Sequence, residues 1–514
     1  MNKKSVKFTR REFIGTTSLA TGAFALIPGT IPKWFFGAET TIRSAIYTPL
    51  SVKFVQSGVI HQEAFEGSCR WGNLDSLTMT AETEALKKGL ENLKQEIGRF
   101  SFSPGINMLE PEGVYMWVEK GNPDIMLKDQ ELFKLNEDDP DTDIYVVTGG
   151  LPQFICLRIA QTYKKPVIFM SSSGWGLDVP GGIRARGLES FYVQDMNQLN
   201  DLLLVFKARK AFHNTRFLNV TNFEVDPKGV ISSANNMDFI KEKYGMDYHT
   251  VNYQEFFTDM DKLLRDKEIK QKAEKLAEDL IAGAGASNMT KEDVINSFNF
   301  YLTVLHFFNK YNCNAFGIEC FELCSSMNPW NRRFTPCMTH SLLKNDGFPS
   351  ACEKDLSALL AMAAMMYVTH KPSYMGNPDL DLEKNIIMLH HSDSPTKMFG
   401  LDKPQDYYEI KSFTEAGFGA TLRYDYNAHK GEIVTLSRFD PLARKILVIP
   451  GEISGGAGMD GLGCSQRVSI TVKNAREAMR EMQEFGHHLS LVYGNCVESI
   501  RDLGVIMGFD VRIV

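Results

Sequence analysis

Carboxylates and imidazoles gather at four separate points in the later part of the chain. The first is Phe316-Gly317-Ile318-Glu319-Cys320-Phe321-Glu322, and the second is Ala351-Cys352-Glu353-Lys354-Asp355. The third is Asn385-Ile386-Ile387-Met388-Leu389-His390-His391, and the last is Phe485-Gly486-His487-His488. Oxygen and imidazole donors of this kind suit a borderline-hard divalent ion such as Mn²⁺. Carboxylates also move protons near neutral pH. One site built from these segments would combine a cation with an acid–base pair.

Each segment has a plainer reading as well. Glu319 and Glu322 follow a β-like run, and on a continued strand they would point to opposite faces. Glu353 and Asp355 precede an apolar helical run over 356–367, where acids cap a helix and complement its dipole. Taken alone, their position favours capping. His390-His391 ends a strand-like run, and His487-His488 follows a helix and a glycine. Five of the nine cysteines (Cys313, Cys320, Cys324, Cys337 and Cys352) fall within forty residues. Cys320-x3-Cys324 with two later cysteines would suit zinc. An odd total in so long a chain argues against a disulfide framework, and buried core thiols are the simpler expectation.

Such a site needs a large scaffold. The chain has 514 residues, 43% hydrophobic and 23% charged, which is a globular balance spread over two or three domains. The net charge is −7, and no Lys/Arg-rich run occurs beyond the extreme N-terminus. Nucleic acid is therefore excluded as an expected partner, and a small neutral or metal-bound substrate fits better.

Strand-like runs at 44–47, 143–148 and 166–170 alternate with helical patterns at 81–100 and 152–163, the rhythm of a parallel α/β sheet. Gly149-Gly150 closes a strand at the end where such sheets bind ligands. A second α/β unit follows, with helices at 199–212, 239–244 and 259–282 and a strand at 217–220. Thr290 offers a cap before first-turn acids, starting a helix through 308. From about 380, alternating runs at 432–437, 445–449 and 467–472 are separated by glycine-rich turns, as in an antiparallel sheet or small barrel. A last helix spans 475–485. The expected fold is α/β: two doubly wound parallel-sheet domains (39–190 and 191–375), then a β-rich, barrel-like domain over 376–514.

Residues 1–38 read as an address. Lys3, Lys4 and Lys7 precede Arg10-Arg11-Glu12-Phe13-Ile14 and a short apolar stretch, the layout of a secretory signal. The paired arginines resemble the twin-arginine motif. The expectation is export by the twin-arginine machinery to the periplasm. No segment reaches the length of a stable membrane span.

Taken in order, the later segments resemble the L-fucose isomerase and L-arabinose isomerase superfamily. The match runs through Phe321-Glu322, Pro336-Cys337, Ser341-Leu342-Leu343, Gly347 and Ala351-Cys352-Glu353-x-Asp355. It continues through Asn385 to His390-His391, Gly431 to Arg438, and Gly486-His487-His488, covering about 315–514. The resemblance implies a homo-oligomer that interconverts an aldose and a ketose of a monosaccharide or sugar derivative, using Mn²⁺ or another divalent ion. It implies metal ligands at Glu322, at Glu353 or Asp355, at His390 or His391, and at His488. It makes Glu322 and Glu353 the acid–base pair, passing a proton between C2 and C1 through a cis-enediol. The alternatives on the same scaffold are a non-catalytic sugar-binding protein and a metal-dependent sugar epimerase or lyase.

Overall fold

The computed structural model describes residues 42–67, 70–122, 124–224, 229–321, 323–324 and 332–514. The leader and Glu322 lie outside them.

Strands β1 (Leu50–His61), β2 (Ile106–Val118), β3 (Ile125–Met126), β4 (Ile144–Gly149), β5 (Val167–Met170) and β6 (Ser190–Val193) form one sheet in the order β3-β2-β1-β4-β5-β6. All pairs are parallel except the edge pair β2–β3. The chain winds outward in both directions from the β1–β4 junction, which makes the sheet doubly wound. Strands β4 and β5 are apolar on both faces, as burial between helix layers requires. Gly149, at φ +110°, ends β4 against Ser57, where any Cβ would meet a backbone carbonyl.

A second parallel sheet uses β7 (Arg216–Val220), β8 (Asp247–Val251), β10 (Ala315–Ile318) and β11 (Ser350–Cys352), in the order β11-β10-β7-β8. The short β9 (Ala286–Ser287) lies between β8 and β10 in the chain and pairs elsewhere. Thr290 caps the helix Lys291–Tyr311 by accepting from the Asp293 amide at 3.1 Å.

The C-terminal strands are β12 (Tyr374–Asp381), β13 (Ile386–His391), β14 (Tyr408–Ser412), β15 (Ala420–Tyr424), β16 (Ile433–Phe439), β17 (Lys445–Ala457), β18 (Gln466–Val472), β19 (Leu489–Tyr493) and β20 (Asp510–Ile513). Six of them close an antiparallel barrel in the order β16-β19-β12-β13-β18-β17, because β17 pairs back onto β16. Closure removes the exposed edges that an open sheet would leave. Strand β20 adds in parallel to β17, while β14, β15 and β9 make a small separate sheet.

The helix Leu356–Thr369 joins the parallel sheets to the barrel. It is apolar all round and buried along nearly its whole length, packing on β16, β19 and the helix Met196–His213. A helix with no polar face must be enclosed. Among the described residues, no helix is long and apolar enough to cross a membrane.

Two expectations need correcting. Residues 44–47 are not the first strand. Ser44 caps a 3-10 turn, Ala45–Tyr47, by accepting from the Ile46 amide, and β1 begins only at Leu50. The helical pattern over 259–282 is two helices, Tyr253–Leu263 and Lys267–Gly283, because Asp266 caps the second at the Glu268 amide.

Candidate metal centre

Strands β10 and β11 run side by side with Ile318 opposite Cys352. Past Cys352 the chain turns sharply: Glu353 and Lys354 both adopt left-handed backbone, at φ 55° and 53°. Non-glycine residues in that region cost of order 1 kcal/mol or more each, and they persist where the surroundings hold them. Here Lys354 N–H donates to the Ile318 carbonyl at 3.1 Å, and the Lys354 ammonium pairs with the buried Glu319 at 2.9 Å. Asp355 then caps the helix Leu356–Thr369, accepting from the Ala358 amide at 3.2 Å. This turn aims the Glu353 side chain, 11% exposed, across toward the barrel.

Two barrel histidines meet it. His391 is the last residue of β13, whose alternate residues Ile387, Leu389 and His391 point inward. His488 precedes β19 and follows Gly486, which sits at φ +100° with Ser232 and the Arg438 guanidinium too close for any Cβ. Nε2 of His391 lies 3.5 Å from one Glu353 oxygen, and Nε2 of His488 lies 3.8 Å from the other. One donor atom from each of Glu353, His391 and His488 falls within 4.8 Å of the others.

The electrostatics suit a cation. Burial alone would raise the Glu353 carboxyl, but the adjacent His391 and the charge of His488 outweigh it and hold the group below its ordinary value. Burial likewise pushes His391 toward neutrality, while Glu353 and Asp393 pull it up past the usual imidazole value. Both ring nitrogens of His391 and Nε2 of His488 are buried without a hydrogen-bond partner. Orphaned buried donors and acceptors cost about 1–3 kcal/mol each, and a divalent ion bound by the two Nε2 atoms and the carboxylate would satisfy two of them. The residues present therefore fit a divalent cation with mixed imidazole and carboxylate ligation.

The other singled-out residues stand differently. Asp355 is buried behind His488: its Oδ2 accepts from His488 Nδ1 at 2.8 Å and from the Arg438 guanidinium at 2.6 Å. His390 points the other way, its Nδ1 3.2 Å from the Cys464 carbonyl and its Nε2 3.9 Å from Asp379. His487 is exposed, and its ring lies tilted beside that of His488, with centroids 4.1 Å apart. Glu322 lies outside the described residues. Cys313, Cys320, Cys337 and Cys352 are buried free thiols, and Cys320 and Cys352 bring their sulfurs to 3.4 Å.

Sequence reasoning passed over Arg438, Asp393 and Lys344. All three are fully buried, and Lys344 donates to Asp393 at 2.5 Å. The available signal was weak: Arg438 interrupts an otherwise apolar and hydroxyl-bearing strand, and Asp393 follows His391 by two. On the open side, Glu353 lines a small cavity of about 80 Å³ with Phe217, Asn219, Ser233 and Lys354, at the carboxyl end of the second sheet.

No protein-family model matches the chain. It is 23% identical over 406 residues to the sulfoquinovose isomerase of Priestia aryabhattai, covering 73% of this chain and 85% of that protein. The sulfoquinovose isomerase of Priestia megaterium matches with the same identity and the same coverage.

Proposed function

We propose that this protein is a divalent-metal-dependent aldose–ketose isomerase acting on a monosaccharide or sugar derivative. The observation that carries the proposal is the convergence of Glu353, His391 and His488, which come from a sheet turn, the end of β13 and the residue before β19, far apart in sequence. The similarity to two sulfoquinovose isomerases over most of their length supports the reaction class, and makes sulfoquinovose the first sugar to test.

A bound divalent ion such as Mn²⁺ would polarise the substrate carbonyl and acidify the neighbouring C–H. The chain's own residues do the rest. Glu353, held ionised by its imidazole neighbours, serves as ligand and as one member of the acid–base pair. Glu322 is the proposed second member, on the resemblance of Phe321-Glu322. One carboxylate takes the proton from C2 as O1 gains one, giving a cis-enediol; O2 then gives up its proton as the other carboxylate returns one to C1. Glu319 is a poor substitute, since it is buried and committed to Lys354. The leader motif places this chemistry, in the same proposal, outside the cytoplasm.

The test uses full-length protein with Mn²⁺, offered sulfoquinovose and a panel of neutral aldoses in D₂O. Expected are deuterium at C1 or C2 and formation of a ketose. Glu353→Gln should bind Mn²⁺ at least tenfold more weakly and lose turnover. Sugars returned unlabelled, with no Mn²⁺ bound by the wild type, would refute the proposal. Label at C2 with only an epimeric aldose formed would make it an epimerase.

A further inference from the structure

Behind each imidazole of the centre stands a buried aspartate, and behind each aspartate a buried cation. For His488 the order is His488 Nδ1, Asp355 Oδ2 at 2.8 Å, then the Arg438 guanidinium at 2.6 Å from the same oxygen. For His391 it is His391 Nδ1, Asp393 Oδ1 at 3.7 Å, then Lys344 Nζ at 2.5 Å from the other oxygen. All six side chains have no measurable exposure. Resting on the reading of Glu353, His391 and His488 as the metal centre, we infer that Asp355–Arg438 and Asp393–Lys344 are matched positioning pairs that orient the two histidines. Each pair keeps the imidazole proton on Nδ1 and turns Nε2 toward the ion.

Three arguments support the assignment. First, a ligating histidine needs its other nitrogen engaged as a donor, which fixes both tautomer and ring angle. Asp355 already does this for His488. On the other side, His391 Nδ1 and Asp393 Oδ1 both lack any other partner and face each other, so a small ring rotation satisfies both. Second, Asp355 is not free to ligate, and Asp393 keeps only the oxygen that faces His391. Asp355 gives Oδ2 to Arg438 and His488 and Oδ1 to the Ala358 amide, while Asp393 gives Oδ2 to Lys344. Third, the charges are arranged for an incoming cation. Three buried or part-buried carboxylates (Glu353, Asp355, Asp393) meet two buried cations (Lys344, Arg438), which leaves one negative charge uncompensated. That charge belongs to Glu353, the carboxylate facing both Nε2 atoms. Without the cations, three carboxylates would share a dry region at prohibitive desolvation cost.

The inference makes an unusual demand on Asp393→Asn. The Lys344 ammonium has only donors, so it fixes the amide oxygen toward itself. The amide NH₂ then faces His391 Nδ1, which must become an acceptor. The ring proton moves to Nε2, the nitrogen that has to ligate. Mn²⁺ binding by full-length protein, measured by calorimetry and by the Mn²⁺ electron paramagnetic resonance signal, should weaken ~10- to 100-fold in Asp393→Asn. Lys344→Met added to Asp393→Asn frees the amide to turn its oxygen to His391, so the double variant should bind Mn²⁺ more tightly than the single one. A merely structural role predicts the opposite order, since a second buried change would only loosen the site further. Asp355→Ser keeps a capping side chain but is too short to reach His488 Nδ1, so it should weaken Mn²⁺ binding by a similar factor and serves if Asp393→Asn fails to fold. Wild-type affinity in folded Asp393→Asn or Asp355→Ser, or a double variant no tighter than the single, overturns the inference while leaving the metal centre standing. A wild type that binds no Mn²⁺ removes the centre itself, and the inference with it.

Discussion

Arg438 ties several segments of the site together, and its removal has a calculable signature. Its guanidinium donates to Asp355 Oδ2 at 2.6 Å, to the carbonyls of His488 and Ser232 at 3.0 Å each, to Ser232 Oγ at 3.1 Å, and to the Phe485 carbonyl. Arg438 and Asp355 are both fully buried. Arg438→Met keeps most of the apolar stem of the side chain but strands the Asp355 carboxylate in the interior. Breaking a buried pair by removing one partner costs about 3–5 kcal/mol, mostly the uncompensated charge. Asp355→Asn alone should cost less, about 1–3 kcal/mol, since Arg438 keeps its carbonyl acceptors. In Asp355→Asn/Arg438→Met the stranded charge is gone, so the double change should cost less than the two single costs together, by about 2 kcal/mol. Urea unfolding of the four proteins at neutral pH, followed through the transition that includes the barrel, measures this cycle. Additivity within about 0.5 kcal/mol, or a cost below about 1 kcal/mol for Arg438→Met, would show that the pair is not coupled and that the charge argument is wrong.

Two further predictions concern the frame. Lys207, buried and bonded to the Ile46 carbonyl at 2.7 Å, is pushed down to about 8 by burial and by the Arg43 charge. Between that value and its ordinary 10.5, the unfolded chain holds a proton that the native one has released, so stability rises with pH across this window. Wild type should gain about 3 kcal/mol relative to Lys207→Met from pH 8 to 10.5, and parallel stability–pH curves for the two proteins would contradict it. Gly149 and Gly150 should differ sharply although they are neighbours. Gly149→Ala places a Cβ 2.3 Å from the Ser57 carbonyl at φ +110°, whereas at Gly150 nothing lies within 4 Å. Thermal unfolding should show a loss of about 1–3 kcal/mol for the first and almost none for the second, and equal effects would refute the steric reading.

Local signals in the sequence carried much of the fold. Thr290 and its first-turn acids announce the helix Lys291–Tyr311, and the helix Ala475–Phe485 has the bounds that its pattern suggests. The barrel strands β16, β17 and β18 follow from alternation between glycine-rich turns, though β17 runs on to Ala457, well beyond its apolar start. The long strands β1 and β2 escaped notice for a physical reason. Strand β1 holds Lys53 and Gln56, and Lys53 is tolerated inside because Asp138 pairs with it from 85 positions away. Strand β2 contains Glu110-Pro111-Glu112-Gly113, which reads as a turn until its β1 partner is known.

The same limit explains the site. Glu353 and Asp355 looked like cap residues, and Asp355 is one: it caps its helix through Oδ1 and holds His488 through Oδ2. The two readings of that short motif were never exclusive, because a carboxylate has two oxygens and the helix start brings both functions to one place. The choice between His390 and His391 was beyond local reasoning. Strand period alone says that one faces inward and the other outward; which does so is set by the register of β13 against β12 and β18. Lys344 and Arg438 are the extreme case. Each lies far along the chain from its aspartate, at separations of 49 and 83, and neither has a local reason to be charged. A buried cation makes sense only once the carboxylate behind a histidine is seen, and that carboxylate makes sense only once the histidine's other nitrogen is seen to face Glu353. The chemistry of this centre is therefore written in pairs across the fold, and a single substitution within a pair should be read by what it leaves unpaired.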